Sequence, residues 1–129
     1  MPKERLRREA YEKLESFLDR VKPLKPRALI LFGSYARGDF TEESDIDVIL
    51  IAENLPKKLI ERRSLSSLYH LKKLMAIGYY PEEFMEELRR GNPFIHEALK
   101  EGVIIYSDGF AESAKNLLNE VSSRPTLRR

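Results

Sequence analysis

Two carboxylates one residue apart, Asp45 and Asp47, stand at the head of the apolar run VILIA. Residues two apart on a strand share a face, so Asp45 and Asp47 project side by side while Ile46, Val48 and Leu50 pack on the other. Adjacent carboxylates repel one another, and a cation between them removes that cost. Their oxygens suit a hard ion such as Mg2+ or Mn2+, commonly held by one or two carboxylates together with substrate phosphates. Upstream, Gly33-Ser34 opens a short turn whose backbone N–H groups and hydroxyl can face an anion. The Arg37 guanidinium adds a charged donor for a triphosphate. A cation beside such a triphosphate would neutralise charge at the reacting phosphorus and help a hydroxyl attack it.

Each of these residues also has a plainly structural reading. Asp45 and Asp47 can be charges that protect an edge strand from aggregation. Gly33 can supply a turn and Ser34 its cap. Arg37 can pair with Asp39 or Glu43 at the surface. Tyr79 and Tyr80 can line a base or partner surface, or pack in the core and its rim. His70 and His96 read as helix-surface residues, and Met75 reads as core.

The elements that must hold this chemistry follow from apolar spacing and from prolines and glycines. Leu6, Ala10, Leu14, Phe17 and Leu18 are spaced for a helix over 2–21 with one buried face. Pro23 and Pro26 end it and lead into a strand over 27–32. Ser34 to Arg37 is a short helical turn, 38–44 a loop, and 45–52 a second strand. Pro56 is placed to open a helix through His70. The run LMAIGYY reads as a third strand. Helices follow over 81–90 and 93–101, closed by Gly91 and Gly102, then a strand over 103–106 and a helix over 110–121. Strands alternating with helices predict a small α/β (α+β) domain with a mixed sheet flanked by helices. The turn between the first two strands is too short for a parallel crossover, so those strands should be antiparallel neighbours.

The string GSYARG, a spacer, then SDIDVIL resembles the signature of the minimal nucleotidyltransferases of the polymerase-beta-like superfamily. The likeness continues through YYPEEF, NPFIHEAL and GVIIYSD, and covers most of the chain beyond Arg27. It implies the polymerase-beta-like nucleotidyltransferase fold, with Gly33, Ser34 and Arg37 gripping the nucleotide and Asp45 and Asp47 as the metal-binding catalytic acids. The implied activity moves a nucleoside monophosphate from an NTP, ATP by preference, to an acceptor hydroxyl. Several members pair with a small helical protein encoded alongside them. There the transferase acts as an antitoxin by adding AMP to a tyrosine of a helical ribonuclease toxin. The family's third carboxylate, which assists metal binding and activates the acceptor, falls at Met75 in ungapped register. Glu42, Glu43, Glu82, Glu83, Glu86 and Glu87 are the acids that stand near enough in sequence to replace it. The alternative is therefore a weakened or inactive relative that binds a helical partner without transferring anything.

Composition narrows the remaining classes. With 129 residues, 42% hydrophobic and 34% charged, the chain fits one domain with an ordinary core. Residues 1–26 read as a helix and linker, 27–121 as the transferase domain and 122–129 as a basic tail. No apolar run is long enough to span a bilayer. The charged start MPKERLRREA and the absence of cysteine point to a cytoplasmic protein, and that absence excludes disulfides and thiol catalysis. A net charge of +2 neither demands nor excludes a nucleic-acid partner, and the lack of a recognition motif ranks that reading low. Self-association is compatible with the sequence.

Overall fold

The computed structural model describes residues 2–65, 69 and 71–123. Helix α1 (Pro2–Arg20) leads through a 3-10 turn at Lys22–Leu24 into strand β1 (Pro26–Phe32). The turn α2 (Ser34–Arg37) and a loop carry the chain into β2 (Ile46–Ala52). After α3 (Leu59–Arg62) come β3 (Leu74–Tyr79), α4 (Pro81–Arg89), α5 (Pro93–Glu101), β4 (Val103–Ser107) and α6 (Phe110–Ser123).

The strands form one sheet in the order β3-β2-β1-β4. β1 is antiparallel to both β2 and β4, whereas β2 and β3 run parallel. The mixed α/β architecture inferred from the sequence is therefore present. Its antiparallel β1–β2 pair follows from α2, whose single turn cannot carry the chain across a sheet.

Alternation along the strands divides the interior in two. Leu29, Leu31, Ile46, Val48 and Leu50 pack on the α1 side with Leu14 and Phe17. Ala28, Ile30, Ile49 and Ile51 pack on the opposite side against α4, α5 and α6, through Phe84, Leu88 and Ile95 among others. Both faces of β2 are covered, which is why its sequence is nearly continuous in apolar residues. Asp47 interrupts that run on the face shared with Ile49 and Ile51, at the end of the strand nearest α5.

Several expectations need correction. β2 begins at Ile46, so Asp45 is the exposed residue just before the strand rather than its first member. The helix expected from Pro56 starts instead at Leu59, with Lys58 in extended geometry ahead of it. Pro56 serves a different purpose, since its carbonyl and that of Lys57 accept hydrogen bonds from Arg62. Ser66, Ser67, Leu68 and His70, in the later part of that expected helix, lie outside the described residues. Met75 is not core: it is 49% exposed. His96 is more than a surface residue, because its ring Nε2 lies 3.0 Å from the Leu88 carbonyl and ties α5 to α4.

Candidate active site

The Gly33-Ser34 turn sits where β1 ends. Gly33 occupies φ +76°, a conformation that L side chains rarely adopt, and a Cβ there would collide with the Asp47 carboxylate. Asp47 reaches this position because it pairs with Phe32 across the β1–β2 ladder. The bare glycine therefore lets the strand acid lie against the turn. Ser34 was expected to cap the turn but is its first helical residue, with Gly33 in the capping position. The Ala36 and Arg37 N–H groups both donate to the Gly33 carbonyl, at 3.1 and 3.0 Å.

Aromatic packing fixes α2 from behind. Tyr35 stacks on Phe40 with ring centroids 4.1 Å apart. Lys3 and Arg7 of α1 lie over the same Phe40 ring at 5.1 and 5.2 Å. The loop before β2 is closed by Thr41 and Ser44, the Thr41 N–H donating to Ser44 Oγ at 2.9 Å. β2 is anchored where the Ile46 N–H donates to the Lys73 carbonyl at 2.7 Å.

Gly33, Ser34, Arg37 and Asp47 line one cavity of about 440 Å³, within the range that accommodates a nucleotide-sized ligand. Asp45 is exposed and does not line the cavity, though its charge acts on Asp47. Burial raises the Asp47 carboxyl above its ordinary value, the Asp45 charge adds to the rise, and Arg37 opposes it. A cation between the two acids would remove that cost, and two carboxylates are a suitable donor set for Mg2+ or Mn2+. Arg37 is not bare: its Nε lies 3.4 Å from Asp39 and its Nη1 3.8 Å from Glu101. Both contacts are exposed and long, so the guanidinium can exchange them for a stronger anion.

The opposite wall comes from α5, whose Phe94, Glu97, Ala98 and Glu101 share one helix face. None of these four residues stands out in the sequence as part of a site. Spacings of three, four and seven residues, with two acids breaking an otherwise apolar stripe, were the available signal. Phe94 meets Phe32 edge to face at 5.2 Å.

A second cavity of about 430 Å³ shares Phe32, Asp47 and Phe94 with the first and is lined also by Arg63, Met75 and Ile77. Met75 is the direct partner of Asp47 in the parallel β2–β3 register, so its side chain projects on the same face. Among the described residues no third Asp, Glu or His joins the aspartates in a metal-binding group. The six glutamates that stand near in sequence are engaged elsewhere or line neither cavity with Asp47. Glu83 binds Arg62 at 2.9 Å and Arg63 at 3.0 Å. Glu86 pairs with Arg89 and Arg90, and Glu87 accepts from Asn92. Glu82 lines a separate cleft beside Phe110. The Glu42 carbonyl accepts from Lys73 and the Glu43 N–H donates to Thr41, and neither side chain lines a cavity with Asp47.

Of the other aromatic candidates, Tyr79 is core, meeting Phe84 edge to face. The Tyr80 hydroxyl donates to the Leu55 carbonyl at 2.8 Å, which makes it a rim residue.

Residues 12–110 match the family model described as Polymerase beta, Nucleotidyltransferase. The chain belongs to this nucleotidyltransferase family. A candidate protein adenylyltransferase of Methanocaldococcus jannaschii is 36% identical over 108 residues, covering 79% of this chain and 70% of the relative. A second candidate adenylyltransferase from that organism is 44% identical over 64 residues, covering 46% of this chain and 54% of its own. The fold is shared with a crystal structure of a candidate nucleotidyltransferase from Sulfolobus solfataricus. The TM-score is 0.53 at 20% identity, over 83% of this chain and 85% of that one. It is also shared with a toxin–antitoxin structure determined with AMP-PNP, at TM-score 0.52 and 17% identity, over 84% and 89% of the two chains. Nucleotidyl transfer is the chemistry of the family. No helix among the described residues is long and apolar enough to cross a membrane.

Proposed function

We propose that this family member transfers a nucleoside monophosphate from an NTP, with ATP as donor, to an acceptor hydroxyl. One observation carries the reading: Asp47 packs against Gly33 so closely that the phosphate-facing turn and the strand acid form one wall of a single cavity. Gly33 and Ser34 receive the triphosphate, and Arg37 leaves Asp39 and Glu101 to pair with it. Asp45 and Asp47 would hold Mg2+ or Mn2+, which when bound supplies neutralisation of phosphate charge. The adenylyltransferase names of the sequence relatives and the AMP-PNP of one fold neighbour support ATP as donor. That neighbour's toxin–antitoxin assembly supports a protein partner, and a tyrosine of a helical partner is the acceptor the reading favours. On this reading the acceptor hydroxyl enters from the second cavity, which shares Asp47 with the first.

Labelled ATP, Mg2+ and the product of the adjacent gene test this directly. Label should pass to the partner with wild-type protein and fall to background with Asp45→Asn or Asp47→Asn, each still folded. Transfer that persists in both variants would place the chemistry elsewhere.

Met75 favours a second reading, in which the chain binds its partner and transfers slowly or not at all. An exposed thioether beside Asp47 can neither ligate Mg2+ nor take a proton. On that reading, association with the partner is equally tight for wild type and both aspartate variants.

A further inference from the structure

The cavity that holds the Gly33-Ser34 turn is poorly matched to a triphosphate on its other side. Its charged lining comprises Arg37 against Asp47, Glu97 and Glu101. The aspartate has a cation to offset it in the transferase reading, but the two glutamates do not. They stand one helical turn apart on α5, and the neighbouring Glu97 carboxyl raises that of Glu101 above its ordinary value. Glu101 lies 3.8 Å from Arg37 Nη1, so these carboxylates adjoin the place where the phosphate chain is held. A wall of carboxylates repels phosphate and favours neutral hydrogen-bond donors. In a nucleotide, the donors next to the phosphates are the vicinal hydroxyls of the ribose. A carboxylate pairing with ribose hydroxyls is an established solution in other nucleotide folds.

We propose that Glu97 and Glu101 are specificity residues that accept hydrogen bonds from the ribose hydroxyls of the bound nucleotide, so that the protein selects ribonucleotides over deoxyribonucleotides. The α5 helix presents both on the face that also carries Phe94 and Ala98, opposite the Gly-Ser turn. Ala98 is 3% exposed and holds the helix on the sheet, which leaves the glutamates free to face the cavity. This inference rests on the transferase reading, since the site must take a nucleotide at all.

Equilibrium binding by calorimetry separates the two. Mg·ATP, Mg·2′-deoxy-ATP, Mg·3′-deoxy-ATP and Mg·tripolyphosphate are titrated into wild type, Glu97→Ala and Glu101→Ala. A hydrogen bond to a charged acceptor is worth roughly tenfold or more in affinity. Wild type should therefore bind ATP about tenfold more tightly than at least one deoxy analogue. That preference should collapse towards unity in one or both variants, while tripolyphosphate binds them as tightly as wild type or more so. A role limited to pairing with Arg37 would move ATP and tripolyphosphate together, and that result overturns the proposal. So does equal binding of ATP and both deoxy analogues by wild type. Failure of wild type to bind any nucleotide overturns the transferase reading as well. If an alanine variant does not fold, the isosteric Glu97→Gln and Glu101→Gln replace it, with discrimination reduced but not abolished as the expected result.

Discussion

Gly33 and Met75 are the two residues on which the chemistry turns, and each makes a separate prediction. Gly33 combines a left-handed backbone with a carboxylate where its Cβ would be. Gly33→Ala must therefore bear backbone strain of about 1–3 kcal/mol and also displace Asp47. The expected outcome is a lower midpoint in chemical denaturation together with loss of transfer, and an unchanged midpoint would refute the close approach. Met75 occupies the register position beside Asp47 and is exposed enough to accept a polar group. Met75→Asp should raise transfer, by up to about 10²–10⁴-fold if the acceptor lacks a general base in the wild type. No change in single-turnover rate would show that the acceptor needs no carboxylate there. That Gly33, Ser34, Arg37 and Asp47 would be neighbours was legible from turn chemistry and the apolar strand, whereas the position of Asp45 just ahead of β2 was not. The exposure of Met75 was not legible, because an apolar residue in an apolar run gives no sign that its face opens onto a cavity.

At the scale of elements, a charged clasp holds α3 to β3 and α4. Arg62 and Arg63 converge on Glu83, Arg63 also donates to the Gly78 carbonyl at 2.5 Å, and the Tyr80 N–H donates to Glu83 Oε1 at 3.1 Å. Burial alone would raise the Glu83 carboxyl; the hydrogen bonds from Arg62, the Tyr80 backbone and Arg63 outweigh it and hold it below its ordinary value. A carboxyl depressed in the folded state contributes stability that is present above its unfolded value and lost as the pH falls through its folded value. The wild-type denaturation midpoint should therefore decline on acidification below about pH 4.5. Glu83→Gln should flatten that part of the profile and lower stability at neutral pH, where it leaves two arginines short of their partner. A parallel pH dependence in both proteins would dismiss the clasp. Helix α3 itself was mislocated from sequence. Pro56 is a common helix opener, but its carbonyl is taken by Arg62, a tertiary bond that no local signal announces.

At the scale of the whole molecule, the sheet is a partition with unequal tasks on its two sides. The α1 side is a plain core, whereas the side covered by α4, α5 and α6 carries Asp47 at its open end. Phe84 is fully buried there and meets Tyr79 at 5.7 Å and Phe110 at 6.0 Å, joining β3, α4 and α6. Phe84→Ala should cost about 3–5 kcal/mol, read as a reduced denaturation midpoint, because three elements would close on the space only in part. A cost under about 1 kcal/mol would mean that this layer repacks freely. Such repacking would leave the α5 wall too mobile for the nucleoside discrimination inferred above.

The sequence by itself determined the chemistry of one wall of the site. A glycine-serine turn after a strand, and two acids two residues apart where the next strand begins, one just before it and one within it, are local patterns with local causes. It also determined that β1 and β2 run antiparallel, since one helical turn cannot span a crossover. Tertiary structure alone decided what faces that wall. The α5 glutamates lie more than forty residues further along the chain than Asp47, and Glu101 meets Arg37 only because β1 pairs with β4 directly after α5. The parallel β2–β3 register likewise set Met75 beside Asp47. A pairing partner is chosen by the sheet as a whole, whereas the side-chain period along a strand is written in the strand itself.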